Sequence, residues 1–225
     1  MSDQLRDFLA NARGTAATAK VLSLDELRAR HEGVAEPVGW SLAALRGRFV
    51  ELSARGASAT LTTAIGLVVE AQQEAEPVAW ITGAEGSFYP PDVADTGVDL
   101  AALVVVRVPG GERAKYAGVA ERLLRSGAFG LVVMDLVGLA AVEIPIAHQG
   151  RLVTLAQAHD AAIVCLTEKT EDTSSLGSLV SLRTEALRKG LLGSREFEVT
   201  LRVLKDKRQG PGWTRTIKAR GPAGT

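Results

Sequence analysis

The chain has 225 residues, of which 46% are hydrophobic, and its 26 basic residues are balanced by 26 acidic ones. This is enough apolar material for one sizeable core, and a formal net charge of zero points by itself to neither a nucleic-acid nor a membrane partner. The charge is unevenly spread, because from Arg183 to the end eleven basic residues stand against four acidic ones, an asymmetry of the kind that marks an anion-binding or partner-binding face.

The single cysteine, Cys165, lies in an apolar run and has no partner for an intramolecular disulfide, which fits a reducing, cytoplasmic setting. The opening MSDQLRDFLANARG is polar and mixed in charge, so it does not read as a signal peptide. No apolar stretch approaches the roughly 20 residues of a membrane span, and no membrane association is expected.

In chain order, residues 1–46 read as a helical arm. Leu5, Phe8, Leu9 and Ala12 fall at helical spacing and form one apolar stripe. Ser23 with Glu26 three residues later is a capping-box signature, followed by Leu24 and Leu27 on one face. Two readings stand side by side: the arm packs on its own domain, or it docks on another subunit through Leu5, Phe8 and Leu9 and makes a homo-oligomer.

Residues 47–208 read as one core domain. The pattern predicts strands at 48–52, 78–82, 103–108, 131–135 and 162–167, and helices at 60–73, 111–126 and 151–158. Runs such as Val104-Val105-Val106 and Leu131-Val132-Val133-Met134 are apolar throughout, as in strands buried on both faces of a parallel sheet. The alternation gives an α/β layered fold with a mainly parallel central sheet and helices on both faces. Two further strands, at 179–187 and 197–204, extend one edge in antiparallel fashion. Residues 209–225 read as a basic, flexible C-terminal tail in which Gly210, Pro211 and Gly212 resist regular structure.

GRFVELSARGASATLTT, residues 47–63, has the layout of a phosphate-binding loop: an apolar strand, a small-residue turn, then an amphipathic helix. The turn contains no lysine. From about 47 to 211 the chain resembles the ATPase core of the RecA recombinase family. GRFVEL is similar to the strand before its P-loop, and AWITGAEGSFYPPDVADTGVDL to its second strand and the segment after it. LLRSGAFGLVVMDLVGL is similar to its Walker B segment, and EFEVTLRVLKDKRQGP to the strand and basic turn near the end of its core. The resemblance places the family's phosphate-loop lysine and the hydroxyl after it on or next to Thr60 and Leu61, and its final loop glycine on Ala59. Glu85 matches the acid that activates the attacking water, and Asp135 the acid that orients Mg²⁺.

The departures imply a vestigial nucleotide site made of Arg55, Thr60, Glu85 and Asp135. Threonine cannot supply the charge that lysine brings to the outer phosphates, though Arg55 could replace part of it. No catalytic residue, cofactor or metal is expected, and His31, His148 and His159 lack metal-ligand spacing. The segments matching the family's two DNA-contacting loops are LVGLAAVEIPIAHQG and EKTEDTSSLG. Neither clusters the cations that gripping a phosphate backbone requires. Lys205, Lys207, Arg208, Trp213 and Arg215, basic residues around one aromatic, are candidates for partner binding.

Within the superfamily the chain most resembles the ImuA group of mutagenesis accessory proteins and the related SulA-like proteins. The resemblance implies a non-enzymatic adaptor in the SOS response and translesion synthesis, with an ImuB-like polymerase subunit and RecA as protein partners. Two alternatives stay open: a nucleotide-binding switch with weak or no hydrolysis, and a single-stranded nucleic-acid-binding module with weak DNA binding through the tail.

Overall fold

The computed structural model describes residues 39–221 apart from 57, 85, 87, 111, 140–143 and 191–195. Helix α1 (Leu42–Leu45) leads into β1 (Phe49–Ser53), α2 (Thr60–Gln73), β2 (Val78–Gly83), α3 (Pro90–Ala94) and β3 (Leu103–Val108). There follow α4 (Arg113–Arg125), β4 (Leu131–Asp135), α5 (Ile146–Ala158), β5 (Ala162–Thr167), β6 (Leu182–Lys189), β7 (Glu196–Asp206) and β8 (Thr214–Arg220). The strands form one sheet in the order β3-β2-β4-β5-β1-β6-β7-β8. Pairing is parallel from β3 across to β6 and antiparallel for β6–β7 and β7–β8, so the expected architecture and its antiparallel edge extension are both present.

Alternation along the strands divides the core into two layers. Val50 and Leu52 of β1, Val78 and Trp80 of β2, Val133 and Val164 pack against α2 and α1. Phe49, Ala79, Ile81, Val132, Met134, Ile163 and Cys165 pack against Tyr116, Ala120 and Leu124 of α4 and Leu152 of α5. With helices on both faces, β1, β4 and β5 are buried along their whole length, and this is why β4 and β5 run almost wholly apolar instead of alternating. Burial in the second of these layers pushes the Cys165 thiol well above its ordinary pKa, as befits a packing group.

Helix α2 shows how local sequence sets an element. Ala64, Ile65, Leu67, Val68 and Ala71 put one buried stripe on the sheet. The helix stops because Ala75 turns left-handed at φ 58°, the Glu76 amide folds back to Ala71 O at 2.9 Å, and Pro77 follows.

Three differences from the sequence reading bear on the site and the sheet. The core takes in part of the expected arm, because Ser41 caps α1 through the Ala44 amide and Leu42 and Leu45 have no solvent exposure. Leu5, Phe8 and Leu9 lie outside the described residues. Helix α5 begins at Ile146, directly after Pro145, and not at 151; a proline before the first turn loses no helical hydrogen bond. The flexible tail is corrected as well, since 214–220 form β8. Gly210 and Gly212, at φ 81° and 100°, make the turn of a hairpin closed by Val203 N to Trp213 O at 3.0 Å and Gly212 N to Val203 O at 3.1 Å. These glycines punctuate a return strand.

A buried ion pair fixes the base of that hairpin. Arg48 Nη2 donates to Asp206 Oδ1 at 2.6 Å, and Asp206 also accepts the Arg208 amide at 2.9 Å and the Trp213 indole N–H at 3.4 Å. Burial pushes the Asp206 carboxyl up, but the Arg208 amide and the Arg48 guanidinium outweigh it and hold its pKa below the ordinary value. A carboxylate with a depressed folded pKa stabilises the fold above its unfolded pKa of about 3.9 and loses that contribution as pH falls through the folded value. Arg48→Ala should therefore cost about 3–5 kcal/mol in urea unfolding at neutral pH, since it strands a buried charge. Below about pH 4 the urea midpoint of the natural protein should fall more steeply than that of Asp206→Asn.

Candidate functional site

The site lies at the carboxyl ends of β1, β2, β4 and β5, where open parallel sheets hold their ligands. At the end of β1 the chain makes the turn of a strand–loop–helix unit. Arg55 and Gly56 are exposed, Gly56 at φ 79°, and Ala54 is buried with its amide on Thr167 O at 3.4 Å. Beyond them the loop turns onto β6. Ser58 forms an antiparallel bridge with Leu187, and the Ala59 amide donates to Ala186 O at 2.9 Å. The Ser58 amide donates to Gly56 O at 2.7 Å, and the Thr60 amide to Ser58 Oγ at 3.3 Å.

A phosphate-binding loop works by leaving successive amides converging on one point that an anion then fills. Here the amides of Ser58, Ala59 and Thr60 are all spent on acceptors of the chain itself. Thr60 is buried and its hydroxyl lies 3.0 Å from Ser58 Oγ, so this side chain folds back into the turn.

Asp135 closes β4 and is buried. It accepts from Thr82 Oγ1 at 3.4 Å and from the Val137 amide at 3.2 Å. It lines a cavity of about 290 Å³ with Thr82, Gly83, Gly86, Tyr116 and Gly138. Among the described residues the buried Tyr116 hydroxyl has no hydrogen-bond partner, and burial, then the Asp135 charge, push its pKa up. Two glycines make room for these groups. A Cβ at Gly83 would stand 2.9 Å from Tyr116 Oη, and one at Gly86 would stand 1.9 Å from Thr82 Oγ1.

Arg55 lines a different cavity of about 370 Å³, with Arg113, Glu168, Lys169 and Thr170. The two cavities share Gly138 and Leu139. The structure thus brings Asp135 together with Thr82 and Tyr116, and Arg55 together with Arg113 and Lys169, while Thr60 belongs to neither group; Glu85 lies outside the described residues. Sequence reasoning missed Tyr116 and Arg113. Tyr116 was visible only as one apolar position of α4, and Arg113 only as a charge in its first turn. Burial pulls the Arg113 pKa below its ordinary value, opposed by the Glu51 charge.

The segment after β5 is held down by a carboxylate the sequence reading passed over. Glu51, in the middle of β1, has no solvent exposure. Its Oε1 accepts from Thr167 Oγ1 at 2.9 Å and lies 3.1 Å from Lys169 Nζ, and its Oε2 accepts the Leu176 amide at 2.7 Å. Arg183 approaches Oε2 at 4.0 Å and donates to Thr170 O at 2.7 Å and to Thr173 O. Lys169 donates to Ser174 O and Lys207 to Ser178 O, at 3.0 and 2.7 Å.

The cations assigned to a tail are likewise engaged on the domain. Arg208 donates to Arg46 O at 3.4 Å and Arg215 to Trp40 O at 2.9 Å. Lys205 is half-buried, and burial, then the neighbouring Lys207, lower its pKa. Trp213 packs against the core. Among the described residues no group of histidine, cysteine, aspartate or glutamate side chains is arranged to hold a metal, and no helix is long and apolar enough to cross a membrane.

The strand order, the strand–loop–helix unit and the aspartate closing β4 define a RecA-like α/β core. The family model for the RecA N-terminal domain matches residues 33–163, and the chain belongs to that family. Protein RecA of Chlorobium limicola is 38% identical over 92 residues, 41% of this chain and 25% of that protein. Protein RecA of a Nocardioides species is 36% identical over 136 residues, 57% of this chain and 38% of that protein. For Kineococcus radiotolerans the figures are 38% over 92 residues, 41% and 26%. The matched stretch is therefore well under half of these relatives' length.

Replacing the Glu51 carboxylate tests the clamp on residues 168–178. Glu51→Gln keeps an acceptor but leaves Lys169 and Arg183 without their counter-charge, and should cost about 3 kcal/mol. Hydrogen exchange at the Leu176 amide should speed up by more than the global loss of stability accounts for, since that amide donates directly to Glu51.

Proposed function

We propose that the chain is a non-catalytic RecA-like adaptor of the DNA-damage response, acting in translesion synthesis as ImuA-type proteins do, with an ImuB-like polymerase subunit or RecA as its protein partner. The observation that carries this reading is the β1–α2 loop, which has no lysine and spends its Ser58, Ala59 and Thr60 amides inside the chain. A triphosphate would have to break the Ala59–Ala186 bond and the Ser58–Leu187 bridge to gain those donors. Each broken buried bond then leaves a carbonyl to desolvate, at about 1–3 kcal/mol. A degenerate Walker A loop in this form keeps the strand-to-helix geometry and gives up the anion. The clamped segment after β5, net negative and tied to Glu51, supports the same reading, because a loop that grips DNA needs freedom and cations.

A second reading, a nucleotide-binding switch with weak or no hydrolysis, draws on Arg55 beside Arg113 and Lys169 in one cavity and Asp135 in the next. Thermal unfolding with ATP and Mg²⁺ separates the two. A ligand at 100 times its Kd adds about 2.7 kcal/mol of stability, a shift of several degrees, whereas the adaptor shows no shift. Phosphate release should stay at the level of an Asp135→Ala control, and an Ala59→Gly/Thr60→Lys variant should remain inactive because the backbone amide at position 59 still donates to Ala186 O. Turnover that disappears in Asp135→Ala would overturn the reading. The adaptor role is tested by co-purification of the full chain with an ImuB-type subunit and with RecA, and retention of neither removes it.

A further inference from the structure

Among the described residues β8 ends the sheet: it pairs with β7 on one side and no strand lies beyond it. Its outer edge presents a row of backbone donors and acceptors, the feature by which a sheet accepts an added strand. The two faces of that edge differ in chemistry. Ile217 and Ala219 pack toward the core on the α2 side, so Thr216, Lys218 and Arg220 alternate to the other face.

On the α2 side the edge borders a groove of about 720 Å³ with Trp40, Ile65, Val69, Ile217 and Ala219 in its walls. Trp40 is 7% exposed, and among the described residues its buried indole N–H has no hydrogen-bond partner. The groove also meets Glu70 and Asp95 and, along the strand itself, Lys218 and Arg220; the two carboxylates disfavour acidic side chains on the α2 side. On the opposite face Lys218 and Arg220 are exposed and stand in register with Glu198 and Glu196 of β7 on the inner side. An added strand would supply their outer neighbours.

We propose that β8 is the docking edge for an extended segment of a partner protein in which apolar and acidic residues alternate. Every second side chain of the added strand enters the groove beside Ile217 and Ala219, and the others lie beside Lys218 and Arg220. Opposite charges next to each other on one face of a sheet stabilise the pairing, and like charges oppose it. The same rule disfavours a second copy of this chain as occupant. Two β8 strands would bring Lys218 and Arg220 of each copy onto one face with no acidic residue in either strand. The inference goes beyond the adaptor reading, since edge and groove would take such a segment whether or not the chain hydrolyses ATP.

The test uses the full chain and two acetylated peptides of about eight residues, one alternating Val and Glu, the other Val and Lys, followed by tryptophan fluorescence because Trp40 lines the groove. The Val-Glu peptide should bind saturably and roughly tenfold more tightly than the Val-Lys peptide, and Lys218→Glu/Arg220→Glu should reverse that order. The natural melting temperature of the double variant would show that the fold is intact. Equal affinities, an unchanged preference in the variant, or no saturable binding of either peptide at about 1 mM would overturn the proposal. Dimerisation in sedimentation that neither peptide competes away would assign the edge to a second copy and overturn it equally.

Discussion

Glu51 is a full charge on a strand with no exposed residue, and the arrangement of the carboxyl rim follows from satisfying it. Taking a carboxylate out of water costs several kcal/mol, recovered only when cations and hydrogen-bond donors surround it with good geometry. The donors come from four places: Thr167 at the end of β5, Lys169 and the Leu176 amide beyond it, and Arg183 on β6. To serve Glu51, residues 168–176 must fold down over the rim, and Arg183 in turn binds the carbonyls of Thr170 and Thr173 that this fold exposes. One buried charge thus sets the path of a loop and brings a β6 side chain to the centre of the sheet. The cluster is a specificity device as much as a source of stability, because any other loop path leaves a buried ion unpaired.

The same β6 strand decides the state of the β1–α2 loop. With β6 paired in parallel to β1 from Val50 to Ser53, its next carbonyl, Ala186 O, stands where the turn after β1 can reach it, and Ala59 donates there. An anion and a strand carbonyl compete for the same kind of donor. The anion wins only where a lysine adds a full positive charge, and position 60 is a buried threonine bonded within its own turn. The fold is kept because the strand–loop–helix geometry also serves packing. Thr63 and Ala64 of α2 are buried whatever the loop binds, and Thr63 is tied to Ala59 O at 2.8 Å.

Much of this architecture is readable from the amino acids. Continuous apolar runs such as Leu131–Met134 betray strands covered on both faces, and the stripe from Ala64 to Ala71 fixes α2 nearly to the residue. The absence of lysine between Ser53 and Leu61 is visible at once. What escapes is long-range. Glu51 reads as an odd charge in an apolar strand, and its partners Thr167, Lys169, Leu176 and Arg183 are more than a hundred residues away. Tyr116 reads as an apolar helix position because its face is apolar, while its hydroxyl reaches the rim only through the space that Gly83 leaves open. Strand β8 is lost to the opposite error. Gly210, Pro211 and Gly212 signal a break in regular structure, and a two-way hairpin turn and the start of a loose tail share that composition.

With most of its described rim groups engaged by one another, the domain differs most from a self-contained body at the two ends of its sheet, and these ends are chemically unlike. Strand β3 exposes Val104 and Val105, with Leu100 just before it, and its Arg107 donates to Ala84 O. Strand β8 exposes threonines and cations over an apolar groove. Edge strands in soluble proteins are guarded by charge because bare amides invite pairing; β8 has that guard and β3 has little of it. Charge at an edge excludes some strands and admits others, so the cations of β8 select by sign where the valines of β3 select only by shape and apolarity. A strand suited to one edge is therefore ill suited to the other. That difference comes from which residues the sequence spends on two otherwise equivalent backbone positions, since the hydrogen-bonding groups offered at both edges are the same.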